Sequence, residues 1–111
     1  MEDCIFCKIL NKEIPSNCVY EDENVIAFND INPQAPIHII VVPKNHVANV
    51  TESSGEMIKN IFEAINKIVM GKKIDKSGFR IITNCGKDAG QTVNHLHFHI
   101  LAGTNLEEKM V

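Results

Sequence analysis

His95-Leu96-His97-Phe98-His99 alternates imidazoles with large apolar side chains. On an extended backbone successive side chains point to opposite faces. The pattern therefore puts Leu96, Phe98 and Ile100 on one face and the three imidazoles on the other. Neighbouring imidazoles on that face are anchored about 7 Å apart, two strand rises. A row of imidazoles gains little from packing. Its chemistry is metal binding, nucleophilic attack or acid–base catalysis. Near neutral pH the ring is largely uncharged and keeps a lone pair on one nitrogen. If a carbonyl or carboxylate holds the other N–H, the attacking nitrogen is fixed in tautomer and direction. Flanking histidines can donate to phosphate oxygens and protonate a leaving group. Phosphoryl or nucleotidyl transfer fits this inventory. A polar strand edge facing water would account for one such histidine, but poorly for three at strict alternation.

The preceding loop suits an anion. Gly86 and Gly90 let backbone N–H groups turn inward, Thr92 adds a hydroxyl, and Asn84 and Gln91 add amides. Alone this is weak, because glycine loops are usually just turns and this one is no Walker A loop. Beside three histidines it is where phosphate oxygens would sit. A second constellation, Cys4-Ile5-Phe6-Cys7, lets two thiolates reach one metal ion. It is half a site, with no second Cys-x-x-Cys to complete it. His46 and one histidine of the row are the candidates. Two buried thiols, or a redox pair, are the other readings. Cys18 and Cys85 read as packing residues or simple thiols.

Several elements must position these groups. The segment 4–10 reads as one or two helical turns, broken before Pro15. Residues 18–20 and 25–28 read as a hairpin around a polar turn. A loop with Pro33 and Pro36 leads to the β-branched run 37–42, a buried strand that holds His38 and stops at Pro43. The long helix candidate spans about residues 53–70, with Ser53 and Glu56 as a capping box and Gly71 as its stop. Met57, Ile58, Ile61, Phe62, Ile65, Ile68 and Val69 make its apolar face. Residues 79–84 and 93–101 read as the last strands. The order predicts an α+β domain whose antiparallel sheet is covered on one face.

Composition narrows the class. The 111 residues suit one domain, 1–111, and 44% apolar with 23% charged residues is ordinary for a globule. A net charge of −3 leaves no surplus of Lys and Arg to bind DNA or RNA broadly. No run is long enough for a membrane span, and the charged N-terminus is wrong for a signal peptide. The expected location is the cytoplasm, where cysteines stay reduced.

The segment His95-Leu96-His97-Phe98-His99-Ile100-Leu101 matches the signature of the histidine-triad (HIT) superfamily. Cys4-Ile5-Phe6-Cys7-Lys8-Ile9, Glu13-Ile14-Pro15, Phe28-Asn29-Asp30-Ile31, Pro33-Gln34-Ala35-Pro36, His38, Pro43-Lys44-x-His46 and Gly90-Gln91-Thr92-Val93 follow in the order of its Hint branch. The resemblance covers nearly the whole chain. It implies a HIT-like fold, a five-stranded antiparallel sheet with one long helix and a short N-terminal helix, in a homodimer whose sheet continues across the interface. It also implies hydrolysis of purine nucleoside phosphoramidates, such as adenosine 5′-phosphoramidate, through a nucleotidyl-histidine intermediate. His97 would be the nucleophile, assisted by His99 and His38. Asn84, Gln91 and Thr92 would contact phosphate, and Asp30 the ribose. Phe6, Ile9, Phe28 and Ile31 would line the purine pocket. The Cys-x-x-Cys form resembles zinc-containing bacterial members, which implies a structural Zn2+ on Cys4, Cys7, His46 and His95. The tail 102–111 departs from the family pattern: it has no aromatic residue and carries Glu107 and Glu108. In the family this tail can reach the partner's active site, so leaving-group preference stays open. Two alternatives remain: a non-catalytic purine-nucleotide-binding module, and an enzyme with a catalytic metal on the three histidines.

Overall fold

A computed structural model describes residues 4–108; residues 1–3 and 109–111, the ends of the charged N-terminus and of the atypical tail, lie outside it. Helix α1 (Ile5–Leu10) leads into strands β1 (Cys18–Glu21), β2 (Val25–Asn29) and β3 (Ile37–Pro43). The long helix α2 (Gly55–Lys72) follows, then β4 (Phe79–Ile82) and β5 (Phe98–Ala102). The five strands form one antiparallel sheet in the order β1-β2-β3-β5-β4.

Alternation along the strands decides what each sheet face does. Val25, Ala27, Ile39, Val41, Phe98 and Ile100 point to one side. There they meet Ile61, Ala64, Ile65 and Ile68, the helical-period stripe of α2. Ile26, Phe28, Ile40 and Val42 point the other way and pack on Phe6 of α1. The expectation of a sheet covered on one face thus needs correction. The first helix covers part of the second face, which is why β3 reads as a nearly unbroken apolar run. The remainder of that face, beyond α1, carries His38 and His99.

The ends of α2 also differ from expectation. Ser54, not Ser53, accepts the N–H of Met57 and caps the helix. The Ser53 hydroxyl instead donates to the carbonyl of Val50. The helix runs past Gly71 and stops at Lys73, whose φ of 59° is left-handed. Both last strands are shorter than expected. β4 ends at Ile82, and residues 93–97 precede the β5 ladder. Side-chain alternation nevertheless persists through them, with Leu96 in the α2 core.

Candidate active site and metal centre

The sheet face beside α1 gathers the catalytic candidates. Register sets His99 of β5 opposite Ile40 of β3, and His38 opposite Leu101. His38 Nε2 and His99 Nδ1 lie 2.8 Å apart. Backbone groups fix the tautomers. The N–H of Gln34 donates to His38 Nδ1 at 3.0 Å, so neutral His38 carries its proton on Nε2 and donates it to His99 Nδ1. His99 then keeps its proton on Nε2. His97 Nδ1 lies 2.7 Å from the carbonyl of His95, which can only accept. His97 therefore carries Nδ1–H and leaves a lone pair on Nε2. Sequence reasoning missed Gln34 in this role. The donor is a main-chain N–H, which no side-chain pattern reveals.

Burial keeps these rings uncharged. It lowers His38 and His97, against the pull of Asp30 on both. His99 falls to about 4, first through burial and then through the neighbouring rings of His97 and His38. Asp30 Oδ2 sits 3.4 Å from His38 Nε2, and its other oxygen accepts the N–H of Asn32. Asp30, His38 and His99 are close enough to share an ion. The proton on His38 Nε2, enforced by Gln34, removes the lone pair such an ion would need. A hydrogen-bonded chain is the better description of this group.

His95 leaves the other two histidines and joins a second cluster. Cys4, Cys7, His46 and His95 bring four ligand atoms within 4.8 Å of one another, a group that could hold a metal ion. Cys4 Sγ lies 3.3 Å and Cys7 Sγ 3.5 Å from His95 Nδ1, and Cys7 Sγ lies 3.2 Å from His46 Nδ1. His95 Nε2 donates to the carbonyl of Pro43 at 2.9 Å, so Nδ1 presents a lone pair to both sulfurs. Burial, then the adjacent Cys4, push the Cys7 thiol up to about 11. A cation between the sulfurs would invert that balance and favour thiolates. Two thiols and two imidazoles with one oriented from behind are a donor set that fits a metal.

A cavity of about 350 Å³ opens between α1 and the sheet. Phe6, Ile9 and Phe28 wall it, and Asp30, Thr92 and His97 face it. Ile31 stands at its lip, 91% exposed. Asn84 lies elsewhere, with His38, Arg80 and Leu106 in a cavity of about 510 Å³. His99 borders both. Gln91 lines neither: its amide donates to the carbonyls of Ala48 and Val93 and accepts the N–H of Gly86. It braces the loop. The second cavity's wall of Arg80, Ile82 and residues 104–107 carried no sequence signal, because those side chains meet only when the tail folds back along β4.

The HIT domain family matches residues 11–106. The chain belongs to the HIT family. A HIT family hydrolase from Clostridium thermocellum superposes with a TM-score of 0.94 at 47% identity, covering 100% of this chain and 99% of that one. A histidine triad protein from Clostridium difficile gives 0.93 at 52% identity, covering 99% and 98%. An uncharacterized HIT-like protein of Methanocaldococcus jannaschii is 48% identical over 99 residues, 88% of this chain and 77% of its own. The five-stranded sheet with one long and one short helix is thus the HIT fold. Among the described residues no helix is long and apolar enough to cross a membrane.

Proposed function

We propose that this HIT protein hydrolyses purine nucleoside phosphoramidates through a nucleotidyl-histidine intermediate on His97, as a Hint-like member of the family. The observation that carries the reading is the 2.7 Å bond from His97 Nδ1–H to the His95 carbonyl. It leaves Nε2 as a lone pair in a neutral, buried ring beside a cavity of nucleoside size. Nε2 attacks phosphorus, the P–N bond breaks, and its electron pair departs on the amine. The amine takes a proton that His99 draws from solvent, its affinity for that proton raised once an anionic phosphate lies alongside. Water then attacks the nucleotidyl-His97 and releases the monophosphate. His38 holds His99 from behind.

Phe6, Ile9, Phe28 and Ile31 wall the base, Asp30 takes the ribose hydroxyls, and Thr92 takes phosphate. Gln91 serves by shaping the loop that presents Thr92. An in-line displacement sends the leaving group away from His97. The second cavity, bordered by His99, His38 and Asn84, lies in reach of that exit.

Cys4, Cys7, His46 and His95 hold zinc in this reading. Around a tetrahedral zinc, with bonds of about 2.3 Å to sulfur and about 2.0 Å to nitrogen, unlike ligand atoms stand about 3.5 Å apart. The separations of 3.2, 3.3 and 3.5 Å support that fit. Four protein ligands leave no open position, so the ion serves structure. The protein works as a cytoplasmic homodimer.

The test is intact-protein mass spectrometry after rapid quenching with adenosine 5′-phosphoramidate. Wild type should show a transient nucleotidyl adduct and release AMP, and His97→Gly should show neither. AMP binding with no adduct and no turnover would replace the hydrolase by a binding module.

A further inference from the structure

The segment that bears His97 is not held by the sheet. The β5 ladder begins at Phe98, so His95, Leu96 and His97 lie before it. Leu96 anchors the segment in the core and donates its N–H to the carbonyl of Val47 at 2.7 Å. The His95 ring ties it to Pro43 on one side and to the two cysteine sulfurs on the other.

The His97 ring touches the edge of the His99 ring, centroids 5.1 Å apart, and has two further supports. One is the carbonyl of His95, 2.7 Å from Nδ1. The other is the Phe6 ring, edge-on with centroids 5.0 Å apart. Both of these are tied to the four-residue cluster. His95 is a member of it, and Phe6 sits between Cys4 and Cys7 on a helix of only six residues. So short a helix has little stability of its own, and Cys4 Sγ is its side-chain cap. His38 and His99 are supported differently. They sit on paired strands and are bonded to each other, and His38 also accepts the Gln34 N–H.

We infer that Cys4, Cys7 and His46 are positioning residues for the nucleophile: by holding an ion with His95 they fix the tautomer and aim of His97 and the Phe6 wall of the nucleoside cavity. The inference rests on the metal reading given above. It makes the ion and the nucleotide partners in one linkage, so each must strengthen the binding of the other by the same factor.

Imidazole nitrogen NMR of the zinc-loaded, histidine-labelled protein reads this directly. Zinc content is measured first. In the loaded protein His97 should show a single Nδ1–H tautomer. After chelation it should average between tautomers, while His38 and His99 keep theirs and the backbone signals of β2 and β3 stay in place. AMP affinity should drop at least tenfold on chelation, and saturating AMP should slow zinc extraction correspondingly. Cys7→Ala should behave like the chelated protein, whereas Cys7→His, which keeps four ligands, should restore the loaded signature. A His97 tautomer indifferent to zinc loss overturns the inference. So does collapse of all signals together, which would make the ion a support of the whole fold. A protein that takes up no stoichiometric zinc fails earlier and overturns the metal reading itself, leaving the proposed hydrolysis standing or falling on the adduct experiment.

Discussion

Three imidazoles at one spacing end in three environments, and the difference comes from what touches each ring. His95 is enclosed and faces sulfur, His97 leans on a carbonyl, and His99 borders both cavities. Replacing His97 by Ala removes the attacking atom and should lower phosphoramidate turnover by at least about 10³-fold, measured as AMP release. His99→Ala should cost about 10²–10⁴-fold, the usual range for a proton-transfer partner. The lowered proton affinities also set a pH response. His99 titrates near 4 when folded and near about 6.5 when unfolded, and His38 is shifted the same way. Between those values the unfolded chain binds more protons, so acid favours it. Their contribution to stability is intact above about pH 6.5 and is lost as the pH falls toward about 4. Urea midpoints recorded down that range should fall. The His99→Ala chain should fall less steeply.

At the level of elements, α2 packs over one face of the sheet and α1 supplies one wall of the cavity. Ile65 is fully buried against the sheet, so Ile65→Ala should cost about 2–5 kcal/mol in denaturant titration. Ser54→Ala should cost about 1 kcal/mol, because the N–H of Met57 loses its acceptor. The helix stripe and the faces of β2, β3 and β5 were legible, since side-chain period alone reports them. The ladder was not. Residues 93–97 alternate as a strand does while pairing with nothing in the sheet, because alternation records which way side chains point and says nothing of main-chain partners. The capping serine was misplaced by one residue for a similar reason: Ser53 and Ser54 are chemically equal, and only the turn Val50–Glu52 before them decides which faces the helix.

Across the whole molecule, the site depends on contacts far apart in sequence. Cys4 meets His95, and Asp30 reaches the pair His38 and His99. Spacing suggested that Cys4 and Cys7 needed outside ligands; it could not choose His95 from the row, and only the family resemblance did. Asp30 alone looked like a turn residue, which it also is. The proposed dimer belongs to this scale, and sedimentation equilibrium should return twice 12.4 kDa. One feature far from the site bears on how the protein can be engineered. Gly71 lies within α2, where a methyl group would meet open space, and Lys73 ends the helix in a conformation that suits glycine. The flexible residue stands two places too early. Exchanging them, Gly71→Ala with Lys73→Gly, should raise the melting temperature through a gain of about 1–2 kcal/mol, with AMP release unchanged. Such a background would tolerate harsher substitutions around the cavity than the natural chain, and leaving-group preference could be evolved on it.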